Sequence, residues 1–168
     1  MLRRWYEWIR QSPDGLLWAN TAAMCTSFKG EILAGIHALG TTVTRGATTA
    51  DVIKAALYLT TATLGAATTA YSATNEVSGS GYTAGGVTVT NANAPSTSGT
   101  TAIWTPSADI VYSSVTLATA FDAVLLYNSS QSNKAISVHT FGSQTVTAGT
   151  FTLTMPVNDS SNALLRIA

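Results

Sequence analysis

The chain has 168 residues, its eight Lys and Arg balance eight Asp and Glu, and charged residues make up only 10% of it. One compact domain with an appendage is the expectation at this length, and a zero formal charge gives no reason to expect DNA or RNA as a partner. No apolar run approaches a membrane span, and Trp5-Tyr6-Glu7-Trp8 following Arg3 and Arg4 is too aromatic and too charged for a signal peptide, so neither a membrane partner nor secretion is expected.

The first predicted element is an amphipathic helix over Met1–Gln11. Leu2, Trp5, Tyr6 and Ile9 recur at i, i+3, i+4 and i+7, Arg3, Arg4, Glu7 and Arg10 lie mostly opposite, and Ser12-Pro13-Asp14-Gly15 ends the run. Trp18 follows, placing three of the four tryptophans in the first eighteen residues. A helix this short does not bury so much aromatic area by itself. Residues 1–24 therefore read as an N-terminal arm, with Trp5, Trp8, Ile9 and Trp18 as anchors on a neighbouring subunit. The cationic face is thin for a helix lying on a membrane surface. Cys25 is the only cysteine, so an intrachain disulfide is excluded, and the thiol reads as a packed side chain.

Residues 25–168 read as a single β-rich domain. It opens with a short helix near 27–39, where Phe28, Ile32, Leu33, Ile36 and Leu39 keep helical spacing between a Ser27 cap and Gly40. From Asp51 onward the pattern is β. The predicted strands are 52–59, 86–92, 100–105, 110–118, 121–127, 135–141, 151–157 and 163–167, with alternation plainest where Phe151, Leu153, Met155 and Val157 share a face. Turns are expected at 128–133 and at Ala148-Gly149, and long polar loops at 61–74 and 91–98. The fold class is mainly β: an antiparallel β-sandwich or jelly-roll-like domain with an N-terminal amphipathic helical arm and one short helix.

The densest signal is Glu76-Val77-Ser78-Gly79-Ser80-Gly81-Tyr82-Thr83-Ala84-Gly85-Gly86. A phosphate cradle needs a helix after the glycines, and here a β-patterned Val87-Thr88-Val89-Thr90 follows. The glycines therefore read as a structural turn, and no cofactor is expected. His37 and His139 stand far apart, with no donor spaced to complete a metal site. Asp122 and Ser137 meet His139 only if the tertiary fold brings them together. No Gly-x-Ser-x-Gly elbow occurs, and Asp51, Glu76, Asp109, Asp122 and Asp159 read as turn or cap residues rather than paired catalytic carboxylates. Asp51 and Lys54, where they are neighbours, make a surface pair worth little. No catalytic residue and no small-molecule substrate are expected.

The run from Thr26 to His37, the segment Ile53-Lys54-Ala55-Ala56-Leu57-Tyr58, the stretch from Ala70 through Gly86, and Leu126-Tyr127-Asn128-Ser129-Ser130 with Asn133-Lys134-Ala135 resemble a family of tailed-bacteriophage virion structural proteins. The Glu-Val-Ser-Gly-x-Gly-Tyr-x-x-Gly-Gly run is the specific part of the resemblance, which spans about Thr26 to Val157. Family members commonly begin near the position of Met24, so Met1–Ala23 reads as an extension. His139-Thr140-Phe141-Gly142 stands where many relatives carry Asp-Phe-Gly before a turn. The resemblance implies a noncatalytic virion component: a capsid decoration (cement) protein on the capsid exterior, contacting the major capsid protein and copies of itself as a homo-oligomer such as a trimer. The alternatives are a neck, tail or fibre-attachment protein, or a carbohydrate-binding adsorption module using Tyr58, Tyr71, Tyr82, Trp104, Tyr112 and Tyr127.

Overall fold

The computed structural model describes residues 20–25, 28, 32, 36, 37, 39, 40, 50–90, 93–98 and 101–167. Eight strands form among them: β1 (Ala23–Met24), β2 (Ile53–Leu59), β3 (Val87–Thr88), β4 (Ser96–Ser98), β5 (Thr101–Trp104), β6 (Ile110–Asn128), β7 (Lys134–Leu153) and β8 (Leu165–Ile167). The protein is mainly β. One sheet has the order β1-β7-β6-β2-β3 and a smaller one the order β4-β5-β8, and every pairing is antiparallel.

The amphipathic helix expected over Met1–Gln11 lies outside the described residues. No helix forms one of the described elements. Phe28 and Ile32 are helical, but Ile36, His37 and Leu39 are not, so the helix expected to run to Leu39 does not reach Ile36. Ala23 and Met24 pair with Val138 and Ser137 of β7, so the sheet begins upstream of Cys25.

The centre of the fold is the β6–β7 hairpin. Its turn is fixed by Asn128, whose Oδ1 accepts the N–H groups of Ser130 (3.1 Å) and Gln131 (3.2 Å), and by Ser132 and Asn133 at positive φ. This is the side-chain turn mimicry that makes Asn a turn residue. Two predicted strands, 110–118 and 121–127, merge into β6, and 135–141 merges with the start of 151–157 into β7. The break expected at Ala148-Gly149 is an irregularity within β7, with Ala148 at φ 45°, matched by Ser114 at φ 53° on β6.

Those irregularities have a large effect. Register shifts interrupt the β6–β7 pairing at four places between Tyr112 and Ala123. Bulges bend and twist the strand that carries them. The outer half of the hairpin (110–117 with 146–153) consequently doubles back on the inner half. Tyr112 donates a hydrogen bond to the carbonyl of Ala55 (2.9 Å), although Ala55 pairs with Leu126, fourteen residues further along β6. An unbent strand would hold Tyr112 and Leu126 roughly 46 Å apart.

The core fills the space this creates. Leu57, Val115, Leu117, Phe121, Leu125, Leu126, Ile136 and Val138 are almost completely buried. Both faces of the inner half are covered, so 121–128 and 135–138 are buried continuously rather than in alternation.

Candidate functional site

The four anchors read from the sequence, Trp5, Trp8, Ile9 and Trp18, lie outside the described residues. Two other features of the described fold have the character of sites: a carboxylate–tyrosine node under the glycine loop, and an apolar cleft between the two halves of the hairpin.

The node centres on Glu76, a buried residue that bridges to Tyr58 of β2. Its Oε2 accepts from the Tyr71 hydroxyl (2.6 Å), while Oε1 accepts from the Tyr82 hydroxyl (2.7 Å) and the Gly85 N–H (2.7 Å). Tyr82 in turn accepts the Leu57 N–H (3.0 Å), and the Tyr127 hydroxyl donates to the Gly85 carbonyl (2.8 Å). Tyr71 stacks on Tyr127 with ring centroids 4.7 Å apart, and Tyr82 stacks on Tyr112 at 6.0 Å. Burial first, and then the adjacent Glu76 carboxylate, push the Tyr71 and Tyr82 hydroxyls well above the usual phenol range. Both hydroxyls therefore remain donors, and charge-assisted bonds of this kind are the stronger sort. Glu76 is a fold-locking hub rather than the turn residue expected of it. Five of the six tyrosines gather around β2 and the glycine loop, although they are scattered in sequence. Tyr58, Tyr112, Tyr127 and Trp104 are almost fully buried, so they offer no exposed platform for a sugar ring.

The glycine loop lies against the outer half of β6. Ser80 bridges to Thr116, whose N–H donates to the Ser80 carbonyl (2.8 Å). A Cβ on Gly79 would sit 2.0 Å from the Thr116 carbonyl oxygen. Gly86 adopts φ +68°, and a Cβ there would sit 1.7 Å from the Ala55 oxygen. The first glycine is required by space and the second by both space and backbone conformation. The loop thus ties β2 to the returning half of β6 within one chain.

The cleft has a volume of about 280 Å³. Val124, Leu126 and His139 from the inner half line one side, and Ile110, Phe151 and Leu153 from the outer half line the other. His139 bonds Ser137 (Oγ to Nε2, 2.8 Å), the i, i+2 neighbour that shares its strand face. Burial lowers the imidazole to about 4, so it is neutral at ordinary pH. Asp122 does not meet it.

Asp122 is fully buried, its Oδ1 accepts the Asn20 side-chain amide (2.7 Å), and among the described residues its Oδ2 has no partner. Burial raises its pKa, with the Asn20 bond opposing. Asn20 also bonds the Leu59 carbonyl (3.3 Å) and the Leu64 N–H (2.9 Å), which pins the chain where it enters the described fold. Asp51 is buried too. It accepts from Asn128 (2.8 Å) and Gln131 (3.1 Å), and Asn128 also contacts His37 (3.1 Å). This cluster replaces the surface pair expected of Asp51 and Lys54. Among the described residues no three metal-ligating side chains gather, and no helix is long and apolar enough to cross a membrane.

Family models, curated proteins and solved structures searched with this chain yield no match.

Proposed function

We propose that the chain is a noncatalytic structural protein of a tailed-phage particle, decorating the capsid exterior as a homo-oligomer that contacts the major capsid protein. Its body in this reading is an antiparallel β-sandwich whose two layers come largely from the doubled β6–β7 hairpin. The observation that carries the reading is the outward surface of the returning half. Val111, Ser113, Thr145, Thr147, Thr150 and Thr152 are exposed there, and no charged side chain occurs between Ile110 and Phe121 or between Thr140 and Met155. Interface cores are depleted in charge, and a surface with so little self-repulsion favours association over free solution. The resemblance of the Glu76–Gly86 run supports the same reading, because those residues have a specific role in closing the fold.

The arm bearing Trp5, Trp8, Ile9 and Trp18 then buries apolar area on a neighbouring subunit. Decoration stabilises a shell by linkage, since a ligand that binds only the assembled lattice favours that lattice. Image reconstruction of particles containing the tagged chain tests the proposal. Density at repeated positions over the shell is the expected result. Density confined to a single ring at one vertex sinks the decoration reading in favour of a neck or tail component. Removing residues 1–19, which leaves Asn20 and β1 intact, should abolish occupancy on the shell. Undiminished occupancy by the truncated chain would refute the arm's role.

A further inference from the structure

We infer that the outer half of β7 is a self-pairing edge: Gly149–Leu153 meets the same segment of a second copy, antiparallel, about a two-fold axis at Phe151. Strand β7 has β6 along one side. Along the other, Ala70 bridges to Lys134 and β1 pairs with Ser137 and Val138. From His139 to Leu153 that second side carries no strand among the described residues. The last part of it is straight. Leu153, Thr152 and Phe151 pair with Ile110, Val111 and Tyr112 in unbroken register, and Gly149 pairs with Val115. Between the last two pairs β6 takes three steps against two on β7. The extra residue is therefore on β6, where Ser114 stands at φ 53°, and Gly149–Leu153 runs without a bulge.

An unpaired edge presents main-chain donors and acceptors to any extended strand, and proteins blunt such edges with shortness, charge, proline or a cover. The other described edges are blunted. Strands β1 and β3 have two residues each, β4 and β8 three, and β8 carries Arg166. The glycine loop lies along the outer half of β6, where Ser80 bridges to Thr116. The β7 edge has none of these devices, and from Thr140 to Met155 the sequence holds neither a charge nor a proline. That absence selects a second copy as the occupant. Near the axis of a two-fold interface a residue meets itself or a close neighbour, so a charge there would face its like. Pairing about Phe151 sets Thr150 opposite Thr152 on the exposed face. It sets half-buried Phe151 opposite its own counterpart on the face toward the cleft. Thr–Thr and aromatic pairs are favourable cross-strand neighbours.

The pairing gives the homo-oligomer of the proposed role its surface and so rests on that reading, but it needs no shell. Sedimentation equilibrium of the full chain over a concentration series tests it. A reversible dimer is expected. T150K/T152K places like charges opposite each other twice across the axis and should weaken the dimer by roughly tenfold or more. T150K/T152E places opposite charges there and should restore the dimer, in a salt-dependent way. Both positions are exposed, so far-UV circular dichroism should be unchanged in both variants. A parent chain that is monomeric at every concentration, or trimeric, overturns the inference. So does a dimer that T150K/T152K leaves intact, or a T150K/T152E chain as weak as T150K/T152K. A dimer in solution without density on the shell refutes the decoration role alone, whereas shell density from chains that stay monomeric refutes the pairing alone.

Discussion

Phe141 and Phe151 lie on the same strand, ten residues apart, with ring centroids only 5.3 Å from each other. A straight strand would separate them by roughly 33 Å. Phe121 completes the corner, meeting Phe141 at 6.0 Å and Phe151 at 5.0 Å in edge-to-face geometry. The three rings therefore hold the hairpin in its doubled form. Phe121 is fully buried, so Phe121→Ala should cost about 3–5 kcal/mol, and Phe151→Ala, half-exposed, clearly less. Urea denaturation with far-UV detection measures both. Equal losses would show that the corner is not where the packing energy sits.

Gly86→Ala sets a Cβ against the Ala55 carbonyl in a conformation that L side chains rarely adopt. The expected loss is about 3 kcal/mol or more. Thermal melting of G86A beside Gly142→Ala, where the added methyl meets only the end of the Gln144 side chain, separates this strain from ordinary loop effects. A normal melt for G86A would show that the loop can move off β2.

Glu76→Gln removes the charge that three donors share and turns one acceptor into a further donor. It should destabilise the fold by about 1–3 kcal/mol. Tyr82→Phe deletes both the bond to Glu76 and the acceptor of the Leu57 N–H. The double variant should lose less than the sum of the singles, because the two groups are coupled. Additive losses in a double-mutant cycle would contradict the hub.

Buried Asp122 and half-buried His139 give opposite pH dependences. His139 titrates at about 4 in the fold against roughly 6.5 in an unfolded chain. Its contribution is full above 6.5 and is lost as the pH falls toward 4, which amounts to about 1–2 kcal/mol between pH 7.5 and 5. His139→Gln should flatten that limb. Asp122 is raised by burial, so its contribution is present below its unfolded value near 3.9 and is lost as the pH rises through its folded value. Asp122→Asn, which keeps an acceptor for Asn20, should raise stability at pH 7 relative to the parent. Urea midpoints measured across pH 4–8 read both effects, and a D122N chain weaker than the parent at pH 7 would contradict the cost assigned to the orphaned oxygen.

The sequence pattern located β2 and β5 closely, because alternating or continuous apolar residues reflect burial directly. It split β6 and β7 in two, because Ala118-Thr119-Ala120 and Ala148-Gly149 carry the small residues of a turn. In the fold these residues belong to continuous strands, and only tertiary packing distinguishes a bend from an end. β1 and β4 are too short to carry any periodicity. The glycine run was legible as structural from the β pattern after it, but its partners were not. Glu76 and Tyr82 are six residues apart, which suggests a local contact, whereas Leu57, Tyr112 and Tyr127 come from distant strands. The His139–Ser137 contact follows from period two and was within reach of the sequence. Asn20 gave no local signal of its bond to Asp122.

That last bond spans 102 residues, and β1 pairs with a strand still further downstream. On the ribosome, therefore, Asn20 and β1 cannot both be fixed until β6 and β7 have been made, and contacts of such separation form slowly even in a complete chain. Residues 20–24 are thus made well before the strands that hold them. A copy that stops before Ser137 accordingly leaves β1 without its partner strand.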